Sequence, residues 1–548
     1  MSKNFQKKLV WIFFLLLIGI GIFFRFYNLN WGEGYYFHPD ERQNIAYPIL
    51  ESKSTFLYDQ KNFDIGIFPL VVIKSSCSFI GGFLFHLKDP LEQIIVTSRF
   101  FTALFSIITA LLIYKISNKY FGQMTGLISL FLMLFFVGNI QYSHFGTVEI
   151  WEAFFLSLLF YYSLKITTHP SIRNSLLVGI LTALSLATKI LTLVAVPAII
   201  FSFFFSTFIK KSKSNRKNKD ILRIFLVLVV YALCIITITL LLMPHTLFNF
   251  TDAYSSIKFE SDVALGRLPV FYTQGFSGTI PYFFQLTNVY PFLINPVFSF
   301  FLIPSVVYVF YVGIKKRSYY HILTALFFLV IFLSQGHFFA KWTRYYIPTL
   351  PFVALLLSLS ISCIYEYLLK RNLLPNLFLG LILSLSFFYG LLFFVLVYLQ
   401  TPSQITALNW AKTNIPRNSD IITEPFDLGI VPFHTISNSI NFFNFYELDA
   451  DLALQKELTL ALEKADYIIL PSQRLVRSRT LNPKKFPVSS KFYKELIGEK
   501  GYQKVYQTPC DIFCKILYLG NPILNVEETA NVFDRPTVFI YKIKNESN

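Results

Sequence analysis

Met1-Ser-Lys-Asn-Phe-Gln-Lys-Lys8 runs directly into Leu9-Val-Trp-Ile-Phe-Phe-Leu-Leu-Leu-Ile-Gly-Ile-Gly-Ile-Phe-Phe24. A basic start before an apolar run of near-spanning length is how a membrane chain opens. The run sits in hydrocarbon and the lysines stay on the cytoplasmic side. A cleaved signal peptide begins the same way but ends in a small-x-small site. Here Arg25-Phe-Tyr-Asn-Leu-Asn-Trp31 follows instead, so the run reads as an uncleaved first span.

The rest of the chain extends this reading. Its 548 residues are 54% hydrophobic and 14% charged, with a mean hydropathy of +0.53. A soluble chain carries roughly 25% charged residues, so a soluble globular protein is excluded, and so is a disordered one. The formal charge of +17 would point to nucleic acid on a soluble protein. Here the placement of the charges matters more than their sum, and no nucleic-acid partner is expected.

Apolar runs recur at 9–26, 93–114, 123–141, 150–166, 174–188, 191–209, 221–243, 290–312, 320–335, 346–368 and 376–399, which predicts about eleven transmembrane helices. Alternate loops are rich in cations: Lys3, Lys7 and Lys8; Lys115 and Lys119; Lys165 and Arg173; the run Lys210, Lys211, Lys213, Arg216, Lys217, Lys219 and Arg223; Lys315, Lys316 and Arg317; Lys370 and Arg371. The short loops between them hold few, chiefly Lys189, Lys258, Arg267, Lys341 and Arg344. This alternation puts the N-terminus in the cytoplasm and everything after Gln400 outside the plasma membrane.

Residues 1–400 therefore read as a transmembrane domain with two long outer loops, 27–92 and 244–289. In the first loop, Phe68-Pro-Leu-Val-Val-Ile73 and Phe79 to Phe85 are apolar but interrupted by Lys74 and Ser75. This predicts a helix on or dipping into the membrane surface. Residues 401–548 change character. Ala407 to Lys412 has helical spacing, while Asp420–Thr423, Asp466–Leu470 and Val538–Lys542 read as strands. A small extracytoplasmic α/β domain is expected, in which Cys510 and Cys514 could pair. Cys77, Cys234 and Cys363 lie in apolar runs as packing residues.

Charges where apolar chain meets the outer face are costly unless paired, hydrated or functional. Three clusters stand there. Phe37-His38-Pro39-Asp40-Glu41-Arg42 offers two carboxylates. One could serve as a general base, the pair could hold a divalent cation, or Asp40 could simply cap a helix. Gln141-Tyr-Ser-His144-Phe-Gly-Thr147-Val-Glu149-Ile-Trp-Glu152 stacks Glu149 and Glu152 on one helical face. A helix-dipole contact accounts for Glu149 but not for Glu152 one turn deeper. Lys341-Trp-Thr-Arg344-Tyr-Tyr-Ile-Pro348-Thr-Leu-Pro351 brings a phosphate-binding pair of cations, or an interfacial one beside Trp342 and Tyr345. Lys189 is a weaker member of the group. Acids and cations gathered at one face suit transfer of a sugar from a lipid-anchored phosphate. The cations neutralise the leaving phosphate, an aspartate takes the acceptor proton, and a single displacement inverts the anomeric centre.

These segments carry a resemblance. His38-Pro-Asp40-Glu41, Ser98-Arg99-Phe-Phe-Thr-Ala-Leu104, Lys119-Tyr-Phe-Gly122, Ser143-His-Phe-Gly-Thr-Val-Glu149, Ala187-Thr-Lys189, Gly278 to Asn288, Arg344-Tyr-Tyr-Ile-Pro348 and Trp410 to Asp427 resemble motifs of the GT-C-fold membrane glycosyltransferases. Within that fold they resemble the protein O-mannosyltransferases and the lipid A aminoarabinose transferase (glycosyltransferase family 39-like). The resemblance implies a polyprenyl-phosphate-linked monosaccharide donor and chemistry outside the cytoplasm. It implies Asp40 and Glu41 as the catalytic carboxylates, with Lys341 and Arg344 as a phosphate clamp. His38, Glu149, Glu152, Lys189 and Tyr345 would line the substrate site. No cofactor is certain, and a divalent cation remains possible. The acceptor is a protein, a lipid or a glycan. Two other readings use the same features: transfer of an oligosaccharide from a lipid pyrophosphate, and a non-enzymatic lipid or sugar transporter.

Overall fold

The computed structural model describes residues 3–52, 65–210, 217–424, 432–522 and 531–544. Lys211, Lys213 and Arg216 of the basic loop, and Pro425 to Asp427 at the end of one motif, lie outside the described residues.

Every predicted apolar run is helical. The helices are Lys3–Phe26, Pro90–Phe121, Gln123–Phe135 with Val137–His144, Glu149–Thr168, Ile172–Leu186, Val196–Lys210, Lys217–Leu242, Pro296–Lys315, Tyr319–Gly336, Leu350–Lys370 and Pro375–Val397. Among the described residues seven helical segments are long and apolar enough to cross a membrane, or eight with the bent pair Gln123–Phe135 and Val137–His144 counted as one span. The protein is thus a multi-pass membrane protein. One of the seven is Ile67–Leu84, where the sequence predicts a helix on or dipping into the membrane surface. Its polar residues are absorbed locally: Lys74 Nζ donates to the Ser52 carbonyl at 2.9 Å, and Ser76 Oγ to Val72 at 2.6 Å.

The bent pair shows how a break is tolerated in an apolar setting. Phe136 adopts an extended conformation (φ −63°, ψ 126°) and leaves carbonyls without helical partners. Unmet backbone groups are expensive without water. Arg25, fully buried at the end of the first helix, donates to the Met133 and Leu134 carbonyls at 2.9 and 3.0 Å and to Ser106 Oγ at 2.7 Å.

The C-terminal region is a five-stranded sheet, order β2-β1-β3-β5-β4, of β1 Asp420–Thr423, β2 Ser439–Phe442, β3 Tyr467–Leu470, β4 Tyr502–Gln507 and β5 Phe539–Ile543. β1 pairs in parallel with β2 and β3, whereas β5 runs antiparallel to β3 and β4. The predicted helix is Ser403–Asn414, and the three predicted strands are β1, β3 and β5. Cys510 and Cys514 are disulfide-bonded, and Cys77, Cys234 and Cys363 are free. The sheet region is fastened to the helices by Phe513, which packs on Phe292, Tyr389 and Phe393. A second tie is Asp534, which accepts from Gln141 Nε2 at 3.1 Å and Tyr398 Oη at 3.3 Å.

Candidate active site

The first loop leaves the Lys3–Phe26 helix and turns at Asp40 into a helical stretch, Glu41–Ala46. Asp40 stands at the capping position, but its carboxylate caps nothing. It reaches across to Arg344, whose Nη1 donates to Asp40 Oδ2 at 2.6 Å, and it accepts from Asn44 Nδ2 at 3.3 Å. Both partners of the ion pair are about a quarter exposed (27% and 25%), so the pair faces open space. The Arg344 guanidinium carbon lies over Trp342, 4.4 Å from the ring centre.

A second ion pair stands nearby. Lys189 Nζ lies 3.1 Å from Glu149 Oε1 and 3.8 Å from Glu152 Oε2. Burial alone would push the Lys189 ammonium down, but the two carboxylates outweigh it and hold the group above its ordinary value. The backbone fixes this lysine: Ile65 and Lys189 form an antiparallel bridge, and the Gly66 and Phe68 amides donate to Thr188 and Ala187. A Cβ on Gly66 would sit 1.9 Å from the Ala187 carbonyl oxygen, so only glycine permits this approach.

Asp40, Glu149, Lys189, Arg344 and Tyr345 line one chamber of about 840 Å³. The chamber also takes Arg42, Tyr272, Glu260, Arg474 and Phe533, and its other walls include apolar Leu191, Leu193, Val194 and Phe338. Among the described residues, several buried polar atoms of the lining have no hydrogen-bond partner: Glu149 Oε2, Arg344 Nε and Arg42 Nε. Buried polar groups are almost always satisfied, so open ones on a chamber wall mark where a polar ligand fits.

Four of the expected site residues lie off the chamber wall. Glu41 is not a chamber residue. Its neighbour in a helical turn points roughly 100° away, and its own carboxylate is sealed inside. There it accepts from Arg99 Nε at 2.8 Å, Arg99 Nη2 at 2.6 Å and the Gly146 amide at 2.6 Å. Arg99 also donates to the Leu29 and Trp31 carbonyls, so this pair ties the first loop to the Pro90–Phe121 helix and to Gly146. Lys341 is also buried. Its ammonium donates to the Phe339 carbonyl at 3.0 Å, off the chamber wall, and burial pushes it down to about 8. His38 is clasped between Phe145 and Phe533, accepts the Asp40 amide on Nδ1, and is pushed down by burial. Glu152 lies behind Lys189 and off the wall. Asp40 and Glu41 therefore diverge. Among the described residues no three His, Cys, Asp or Glu side chains gather as a metal site.

Sequence reasoning missed Arg42, although it closes the quoted first-loop motif. Tyr272, Glu260, Arg474 and Phe533 come from distant segments and carry no local signal.

Residues 91–237 match the model of the dolichyl-phosphate-mannose-protein mannosyltransferase family. No curated protein matches the sequence. Among solved structures, ArnT from Cupriavidus metallidurans bound to undecaprenyl phosphate is 12% identical with a TM-score of 0.50, covering 100% of this chain and 99% of that one. The archaeal oligosaccharyltransferase AglB from Archaeoglobus fulgidus, in complex with an inhibitory peptide and a dolichol-phosphate, is 15% identical with a TM-score of 0.50, covering 90% and 72%. An Archaeoglobus fulgidus oligosaccharyltransferase tethered with an acceptor peptide is 13% identical with a TM-score of 0.52, covering 96% and 88%. At such identities the likeness is one of fold. The chain accordingly has the fold of the GT-C membrane glycosyltransferases and matches, over residues 91–237, the dolichyl-phosphate-mannose-protein mannosyltransferase family.

Proposed function

We propose that this protein is an inverting glycosyltransferase that moves a monosaccharide from a polyprenyl-phosphate carrier to an acceptor hydroxyl on the outer side of the membrane. The observation that carries the reading is the Asp40–Arg344 pair, joined across 304 residues of sequence at the wall of a partly apolar chamber. In this mechanism the carrier phosphate takes the guanidinium of Arg344, with Lys189 beside it. That displaces Asp40, which is left facing the acceptor. Asp40 removes the hydroxyl proton as the acceptor oxygen attacks the anomeric carbon. The bond from that carbon to the phosphate oxygen breaks on the opposite side, and the carrier leaves as a monophosphate. The charge that develops there is met by Arg344 and Lys189. Glu149 holds Lys189 in place, and Leu191, Leu193, Val194 and Phe338 offer an apolar path for the carrier chain.

The family match and the fold relatives, solved with undecaprenyl phosphate and with dolichol-phosphate, support the donor class. The alternation of basic loops and the Cys510–Cys514 disulfide support an outer chamber and sheet region with a cytoplasmic N-terminus, since disulfides persist outside reducing compartments. The test is incubation of the purified protein with radiolabelled polyprenyl-phosphate sugars and a panel of peptide, lipid and glycan acceptors. Label should move to at least one acceptor with inversion at the anomeric carbon. Retention of configuration, or no transfer by correctly folded protein, contradicts the reading.

A further inference from the structure

Asp40 opens a helical stretch, where backbone N–H groups lack a helical partner. An aspartate there commonly turns its carboxylate onto the N–H groups of the next turn. This one does not: its carboxylate caps nothing, and the residue lines the chamber. Pro39 before it has no N–H, so the Asp40 amide is the first donor the turn must satisfy. His38 takes it, with Nδ1 accepting at 3.2 Å. An amide can only donate, so Nδ1 carries no proton and the ring is the neutral tautomer protonated on Nε2.

The ring is itself held from both sides. It is 2% exposed, with Phe145 at 4.6 Å and Phe533 at 4.3 Å between ring centres. Phe145 comes from the turn before the Glu149–Thr168 helix. Phe533 comes from the C-terminal region, where its carbonyl accepts from Gln404 Nε2 at 2.9 Å. Two distant parts of the chain thus fix one ring of the first loop. Burial pushes that ring toward its neutral form, against the pull of the Asp40, Glu41 and Glu149 carboxylates, and so keeps the Nδ1 lone pair free.

The tether matters most once the carrier is bound. In the proposed mechanism Arg344 turns to the carrier phosphate. Among the described residues, the hydrogen bonds then left to Asp40 outside the helical ladder are Asn44 Nδ2, 3.3 Å from Oδ1, and His38 at the amide. Asn44 belongs to the same helical stretch and moves with it. Glu41 anchors the stretch one residue later, through Arg99. His38 is the tether at Asp40 itself.

We propose that His38 is a positioning residue for Asp40, holding it toward the acceptor through the hydrogen bond from the Asp40 amide to Nδ1. This rests on the transferase reading and deepens it by naming the group that orients its base. A phenylalanine would fill the clasp between Phe145 and Phe533, so the role resides in the Nδ1 lone pair.

The test uses the full-length protein in detergent, with melting temperatures as fold control. His38→Phe keeps a ring and removes the acceptor. His38→Asn keeps an acceptor atom where Nδ1 stands, and His38→Gln moves it toward the Nε2 end. For His38→Phe and His38→Gln, kcat of sugar transfer should fall about 10–100-fold, because a small misplacement of a reacting group costs that much. KM for the polyprenyl-phosphate sugar should stay within about twofold. His38→Asn should recover kcat to within about fivefold of wild type. Hydrogen exchange of peptides spanning Asp40, read by mass spectrometry without any transfer, should show about one more fast amide in the Phe and Gln variants than in wild type or the Asn variant. Equal exchange in all four proteins overturns the proposal. So does a kcat loss in His38→Asn as deep as in His38→Gln, a contrast that decides alone if His38→Phe does not fold. Unchanged kcat in every variant, beside normal wild-type transfer, would sink the role of His38 and leave the transferase standing. The expected exchange differences without transfer by wild type would remove the transferase reading, and the positioning role with it.

Discussion

Asp40 and Glu41 are chemically similar neighbours in sequence, each paired with one arginine, yet their surroundings are opposite. The Glu41–Arg99 pair is sealed, at 1% and 0% exposure, with the carboxylate saturated by the guanidinium and the Gly146 amide. The Asp40–Arg344 pair is open to the chamber, and among the described residues Arg344 Nε has no partner. A sealed, saturated pair cannot exchange partners without exposing a buried charge, so it fixes structure. An open, unsaturated one can trade its partner for substrate. Burial and completeness of hydrogen bonding, rather than residue type, separate the two pairs, and on the proposed mechanism they separate scaffold from chemistry.

The contrast can be broken deliberately. Arg99→Met should destabilise most, by about 3–5 kcal/mol, because Glu41 is left charged and buried without its partner. Thermal unfolding in detergent reads this directly, and a melting temperature near wild type would place the pair among the dispensable ones.

Asp534 sharpens the same rule at the sheet–helix junction. Burial pushes its carboxyl up to about 6, against the pull of Gln141, Arg535 and Tyr398. An acid with a raised folded-state pKa binds its proton more tightly when folded. Its stabilising contribution is therefore full below pH about 4 and is lost as pH rises through about 6. The change is on the order of 3 kcal/mol. Melting curves of wild type and Asp534→Asn should diverge accordingly between pH about 4 and 7, with wild type losing ground as pH rises. A gap that does not vary with pH would contradict this.

Gly66→Ala should cost about 1–3 kcal/mol through its clash with the Ala187 carbonyl. It should also weaken carrier binding by shifting Lys189. Unaltered carrier affinity would mean that Lys189 is not held by that bridge. Lys341→Met should have the smallest effect, with transfer kept within about threefold of wild type, because a buried ammonium off the chamber wall is readily replaced by an apolar chain. A loss of transfer of about a hundredfold or more would restore Lys341 to the phosphate clamp.

The fold was legible wherever hydrophobicity carried the signal. The eleven predicted runs all became helices, because apolar runs of that length have few other solutions. The two strands that sequence patterning missed are β2 and β4, the edges of the sheet. Their residues are mostly exposed or half-buried, so they lack the apolar run that revealed the central β1 and β3. Asp40, Glu149, Lys189 and Arg344 were legible because charges in an apolar chain stand out. What the sequence could not show was direction. Nothing local tells Asp40 from Glu41, or Arg344 from Lys341, since the difference lies in which partner each meets from a distant segment: Arg99 for Glu41, the Phe339 carbonyl for Lys341.

The most direct test of the central claim is Asp40→Asn, with carrier binding and sugar transfer measured on the same purified sample. Binding of polyprenyl phosphate should persist or tighten, because Arg344 loses its competing carboxylate, while transfer should fall by about 10²–10⁴-fold. Transfer within a few-fold of wild type, on protein with an unchanged melting temperature, would remove Asp40 as the base.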